Sequence, residues 1–202
     1  RDLTAIRTQA ERIMRVTGSI LNLSRGAVTT LKPIDLNCVI RTCLMVAGER
    51  VSARRIRLDS VLDPDLPLVM GDRARLETVV LNLINNAMDA VQVLDQQGIV
   101  TVESKRCRDS EGDWAVISVS DNGPGIPAAA MDRLFDPFFT TKPAGQGNGL
   151  GLFLSYGIVA EHRGRIEANN GDAGAIFTVQ LPALVDVGSV RKGSAWEPQA
   201  RS

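Results

Sequence analysis

Two glycine-rich stretches constrain this chain more than any other feature. The first, Asp121-Asn122-Gly123-Pro124-Gly125-Ile126, follows Trp114–Ser120, a run that alternates like a strand. The second, Gly145-Gln146-Gly147-Asn148-Gly149-Leu150-Gly151-Leu152, runs into an apolar, helix-like segment that reaches His162. Without a Cβ, backbone can come close to a flat or phosphorylated ligand, and amide groups at a helix N-terminus favour anions. Upstream lies Asn82-Leu83-Ile84-Asn85-Asn86-Ala87-Met88-Asp89-Ala90. It falls in a helix expected over residues 73–94, where Leu76, Val79, Val80, Leu83, Ala87 and Val91 keep helical spacing. Asparagine is a poor helix former, so a cluster of them in a strong helix is unusual. Asn82 and Asn86 point to one side, with Asp89 a turn further on. Each piece alone has a plain alternative: exposed asparagines, an Asp-capped turn, a flexible linker. In this order they describe a nucleotide pocket.

The side chains suit that reading. The Asp121 carboxylate can accept a bond from the amino group of adenine, with Gly123 and Gly125 clearing space for the ring. An amide oxygen of Asn82 or Asn86 is a hard, neutral ligand of the kind Mg²⁺ takes alongside phosphate oxygens and water. Phe135-Asp136-Pro137-Phe138-Phe139-Thr140-Thr141-Lys142 holds three of the five phenylalanines in a segment otherwise built as loop. Such a segment reads as a lid that packs down on a ligand, with Lys142 as a point charge for phosphates.

The remaining pattern sets the fold class. Residues 1–30 read as a helix whose apolar seam (Leu3, Ile6, Ala10, Ile13, Val16, Ile20, Leu23, Ala27) needs a partner helix, and Pro33 is expected to end it. A second helix over 36–53 has Asp35 as its candidate N-cap. Strands are expected at 56–62, 66–70, 99–106, 114–120, 165–168 and 175–181. A hairpin turn is placed at Glu111-Gly112-Asp113, a short helix at 127–134, and a turn at 169–174. Hairpin-connected strands with helices on one face make an α+β, two-layer sandwich with a mixed sheet. No GxGxxG opens an early βαβ unit, which excludes a dinucleotide-binding Rossmann sheet.

Composition narrows the function classes. The 202 residues hold 23 basic and 23 acidic side chains, which disfavours nonspecific nucleic-acid binding driven by net charge. No apolar run approaches the ~18 residues of a membrane span, and no secretory signal opens the chain. Cys38, Cys43 and Cys107 form no metal-like pairs and are expected to be small core residues in a reducing compartment.

The block from about residue 71 to 182 resembles the catalytic ATP-binding domain of bacterial sensor histidine kinases, within the gyrase, Hsp90, histidine kinase and MutL superfamily. Asn82–Ala90 resembles its asparagine box, Asp121–Ile126 its first glycine box, Phe135–Lys142 its phenylalanine box and Gly145–Leu152 its second glycine box. The Phe-Phe-Thr-Thr-Lys form is similar to the nitrogen-, oxygen- and dicarboxylate-sensing subclass. Residues 1–32 resemble the second helix of the dimerisation and phosphotransfer hairpin. The resemblance implies a Bergerat-type fold over 33–184, with a lid at about 127–150; residues 185–202, with little apolar content after Val190 apart from Trp196, read as a loose tail. It implies ATP and Mg²⁺ as cofactors, with Asn86 as the Mg²⁺ ligand and Asn82 and Lys142 as the residues closest to the chemistry. Asp121 would hold adenine. Asp89, Gly123, Gly125, Ile126, Phe135, Thr140, Thr141, Gly147, Asn148, Gly149, Leu150 and Gly151 would complete the nucleotide site.

The implied reaction moves the ATP γ-phosphoryl group to a histidine on a partner helix, for relay to the receiver domain of a response regulator. The full kinase would be a homodimer through its helical hairpin, with no nucleic-acid partner. This portion would be cytoplasmic and its parent anchored in the inner membrane. Two departures stand out. Asn82 occupies a place where the superfamily's ATPases usually carry a general-base Glu, so hydrolysis is expected to be poor. No Thr stands at the aligned adenine position, where Gly174-Ala175-Ile176-Phe177 runs, leaving a water or backbone group to substitute. The one histidine, His162, falls within the catalytic block and is expected to be structural. The acceptor helix is expected upstream of Arg1, because the chain starts without Met and its apolar seam lacks a partner. The alternatives are an ATPase of the same superfamily and a noncatalytic nucleotide-binding partner module.

Overall fold

The computed structural model describes residues 31–51, 55–143 and 147–184. The expected helix over 1–30, the tail over 185–202, and Gly145 and Gln146 of the second glycine loop lie outside the described residues.

The chain runs through β1 (Lys32–Ile34), α1 (Leu36–Val51), β2 (Ile56–Leu62), β3 (Val69–Gly71), α2 (Arg73–Val91), β4 (Gly98–Asp109), β5 (Gly112–Asp121), α3 (Ala128–Met131), α4 (Gly151–Glu161), β6 (Arg165–Asn170) and β7 (Ala175–Pro182). The main sheet has the order β2-β4-β5-β7-β6. β2 and β4 are parallel and the other neighbours antiparallel, so the sheet is mixed as expected. Its core face carries Val100, Val102, Ala115, Ile117, Val119, Phe177, Val179 and Leu181. These pack with buried residues of α1, α2 and α4, giving the two-layer sandwich.

Capping sets both long helices. The Asp35 side chain accepts the N–H of Asn37 (2.8 Å) and of Cys38 (3.3 Å) at the start of α1. Asp72 accepts the N–H of Arg75 (3.2 Å) at the start of α2. Helix α2 buries Leu76, Val79, Val80, Leu83, Ile84, Ala87, Met88 and Val91, one apolar stripe at helical spacing. It ends at Val91 rather than 94. A Cβ on Gly98 would stand 2.6 Å from Val91, so β4 can start there only with glycine.

Several boundaries differ from expectation. Pro33 lies inside β1, where it pairs with Met70 in the small antiparallel sheet of β1 and β3. The strand expected at 66–70 is Val69–Gly71, since Pro67 offers no N–H to a ladder. The β4–β5 turn falls on Ser110 and Glu111. The Asp109 carboxylate accepts the N–H groups of Glu111 and Gly112 and the Trp114 indole N–H, drawing both strands past the expected turn. The helix expected over 127–134 shrinks to α3. Of the cysteines, only Cys43 is a core residue; Cys38 and Cys107 are exposed. Burial pushes the Cys43 thiol up to about 12.

His162 is buried, and backbone satisfies both of its ring nitrogens. Nε2 accepts the N–H of Asp72 (2.9 Å), and Nδ1 donates to the carbonyl of Ile158 (2.7 Å). It joins the end of α4 to the start of α2, the structural role expected.

Candidate functional site

The site lies where the end of β5 meets the C-terminal half of α2, flanked by the segment after Ile126 and the start of α4. Asp121 follows the core-facing alternation of Val119 and is 8% exposed. Its Oδ1 accepts the N–H of Gly123 (2.8 Å) and of Ala175 (3.3 Å). Its Oδ2 has no hydrogen bond among the described residues. Burial raises the carboxyl above its ordinary value, against the pull of the two amides. The glycines around it are packed tight. A Cβ on Gly123 would stand 2.8 Å from Asp121 Oδ1 and 3.2 Å from Ala90, and one on Gly174 would overlap the Asp121 backbone carbonyl. The expected lack of threonine holds: Thr178 pairs with Ser118 and Glu167, one step past Phe177. The backbone N–H of Ala175 reaches the carboxylate instead.

The α2 side chains divide into two groups. Asn82 turns toward α4: its Nδ2 donates to Ser155 Oγ (3.0 Å), and its Oδ1 lies so close to Gly151 that a Cβ there would overlap it. Asn86 and Asp89 instead share a cation. The Lys142 ammonium donates to Asn86 Oδ1 (3.2 Å) and to Asp89 Oδ2 (2.7 Å). Two hard oxygens a turn apart thus converge on one positive charge, a donor set that fits Mg²⁺. Among the described residues no three His, Cys, Asp or Glu side chains gather to hold a metal unaided. A divalent ion here would therefore draw further oxygens from a ligand.

The segment beyond Ile126 is held piece by piece. Phe135 packs against the core and lies 5.7 Å from the Tyr156 ring, and Phe139 sits under the Arg133 guanidinium at 4.7 Å. Phe138 is 64% exposed with φ +66°. Its N–H donates to the Gly149 carbonyl (2.9 Å). Gly149, at φ +64°, has no room for a Cβ against the Phe138 backbone. Thr140 Oγ1 accepts the Lys142 N–H (3.1 Å) and would be 2.7 Å from a Cβ on Gly147, while Thr141 is exposed. Asn148 Oδ1 accepts the N–H of Leu150 (3.2 Å), turning the chain into α4 with Leu150 buried. Gly125 has φ +74°, and Ile126 packs against the core.

The structure thus brings Asn86, Asp89 and Lys142 together, ties Asn82 to Ser155 and Gly151 on α4, and gathers Gly123, Gly174 and Ala175 around Asp121. Sequence reasoning missed Ser155, Ala175 and Asn170. The only signal for Ser155 was a hydroxyl inside the apolar run Gly151–Val159. Ala175 acts through its backbone, which no side-chain pattern reports. Asn170 bonds both backbone groups of Ile126.

Residues 71–185 match the sequence profile of the histidine kinase-, DNA gyrase B- and HSP90-like ATPases. The chain is 35% identical over 178 residues to the sensor histidine kinase ZraS of Escherichia coli, covering 88% of this chain and 36% of ZraS. It therefore spans about a third of that relative's length. Two solved structures share the fold. The histidine kinase ThkA in complex with the response regulator protein TrrA has a TM-score of 0.72 at 27% identity, covering 89% of this chain and 50% of that one. Full-length ShkA in complex with AMPPNP has a TM-score of 0.72 at 25% identity, covering 89% and 38%.

Proposed function

The chain belongs to the histidine kinase-, DNA gyrase B- and HSP90-like ATPase family, and from that premise we propose that it is the ATP-binding kinase portion of a two-component sensor. It transfers the ATP γ-phosphoryl group to a histidine on a helix absent from the 202 residues, for relay to an aspartate of a response regulator. The carrying observation is Asp121, with Oδ1 held by two backbone amides and Oδ2 left for a donor such as the adenine amino group. That ShkA was solved with AMPPNP, and ThkA with a response regulator, supports the nucleotide and the partner.

Phosphoryl transfer asks a protein mainly for positioning and charge neutralisation. Asp121, Gly123, Gly125 and Ile126 hold the base end. Asn82, Thr140, Thr141, Gly147, Asn148, Gly149, Leu150 and Gly151 frame the triphosphate at the start of α4. Mg²⁺ bound through Asn86, beside Asp89, would neutralise phosphate charge. Lys142, which holds Asn86 and Asp89 in this structure, would supply a positive charge to phosphate oxygens. Asn82 is a neutral amide and cannot take a proton from water, which favours transfer to a protein nucleophile over hydrolysis. The full kinase is a homodimer through its helical hairpin. No helix among the described residues is long and apolar enough to cross a membrane.

Isothermal titration of Mg·ATP tests the reading. The wild-type chain is expected to bind one equivalent, and Asp121→Asn to lose at least about tenfold in affinity, as for one charge-assisted hydrogen bond. Unchanged affinity in that variant would remove the adenine assignment.

A further inference from the structure

The first glycine loop crosses the end of the main sheet like a bridge with a support at each end. On the near side, the Asn122 N–H donates to the Ile99 carbonyl (3.1 Å). Its side chain accepts the Ile99 N–H (2.7 Å) and donates to the Gln97 carbonyl (3.1 Å). On the far side, Asn170 clasps Ile126. The Ile126 N–H donates to Asn170 Oδ1 (2.7 Å), and Asn170 Nδ2 donates to the Ile126 carbonyl (2.9 Å). Asn170 closes β6, the strand beyond β7, and lies 44 residues from Ile126. Between the supports, Gly125 has φ +74°, and a Cβ there would stand 2.9 Å from Asn170 Oδ1. The same turn returns through Gly171, whose N–H donates to the Gly174 carbonyl (2.7 Å), and Gly174 lies against Asp121.

We propose that Asn170 is a positioning residue for base recognition: its two-point amide clasp fixes Gly125 and Ile126 beside Asp121, and so sets the affinity and base selectivity for adenine nucleotides. The inference rests on the nucleotide reading above. The chemistry demands a carboxamide of this length. Aspartate keeps an acceptor for the Ile126 N–H but turns an oxygen on the Ile126 carbonyl, and alanine supplies neither group. Asn170 acts through the loop and not on the phosphates, so its loss moves KM and base preference and leaves the saturated rate in place.

The test is titration of ATP, ADP and GTP into wild type, Asn170→Ala and Asn170→Asp, each melted thermally, together with phosphoryl transfer to an acceptor-helix fragment at saturating ATP. Asn169→Ala, at an exposed neighbouring position, is the control. ATP and ADP affinity is expected to fall about tenfold in Asn170→Ala, which loses both hydrogen bonds, and comparably in Asn170→Asp, which keeps one bond but sets an oxygen against the Ile126 carbonyl. The ATP-over-GTP preference should narrow, with the saturated rate within twofold of wild type and the control unchanged. If Asn170→Ala fails to melt cooperatively, Asn170→Asp carries the same comparison. The proposal is overturned if folded Asn170 variants bind ATP within twofold of wild type with base preference intact, or if only the saturated rate falls. A wild-type chain that binds no Mg·ATP would overturn the nucleotide reading instead.

Discussion

Asp121 concentrates the residue-scale chemistry. Burial raises its carboxyl above the ordinary 3.8, so folding disfavours its ionised form. That penalty is present above the folded-state pKa and is relieved as pH falls through it. A ligand amino group donating to Oδ2 favours the ionised form. Nucleotide affinity is therefore expected to weaken as pH falls through the raised pKa, and this acid limb should be missing in Asp121→Asn; titration calorimetry across acidic pH checks it. Gly151 offers a steric counterpart. A Cβ there overlaps Asn82 Oδ1, so Gly151→Ala is expected to lose about 1–3 kcal/mol by overpacking, read from denaturant melts. Asp121 and the glycines were legible as residue types in order. That Asn82 would be bonded to Ser155 was not, because that contact depends on how α4 packs across α2.

Between elements, His162 links α4 to α2 through two backbone groups. His162→Ala leaves the Asp72 N–H without its partner, for which about 1–3 kcal/mol is expected, and phosphoryl transfer at saturating ATP should persist, as no phosphate is carried there. The β4–β5 hairpin has its own electrostatic clasp. Arg106 and Arg108 face Asp113 and hold it down to about 2, chiefly through the Arg106 side-chain bond. A depressed carboxyl stabilises above its ordinary value of 3.8, and that contribution is lost as pH falls toward about 2. Asp113→Asn should therefore be less stable than wild type at neutral pH, with the two melts converging near pH 2. Caps and periodicity made α1, α2 and the longer strands legible. The strand β1 was not, because three residues carrying Pro33 leave no alternation to read, and only pairing with β3, itself read as a longer run over 66–70, defines it.

At the scale of the whole molecule, a mixed sheet under helices holds Asp121, Asn82, Asn86, Asp89 and Lys142 around one region, drawn from β5, α2 and the segment before α4. The three thiols report on that packing. Cys38 and Cys107 are exposed, while Cys43 is buried and raised to about 12; a thiol reagent should label two sites in the folded protein and the third only on unfolding. The order of the glycine, asparagine and phenylalanine stretches made the pocket legible without coordinates. Supports such as Asn170 and the Ala175 amide needed the sheet order β5-β7-β6, which no local pattern carries. The proposed function requires this pocket to pass phosphate to a histidine on another helix. Its most direct test is incubation of the chain with γ-labelled Mg·ATP and a separate acceptor-helix fragment. Acid-labile label on the histidine of the fragment with little free phosphate is expected; steady release of phosphate with no labelled protein would rule out the kinase reading.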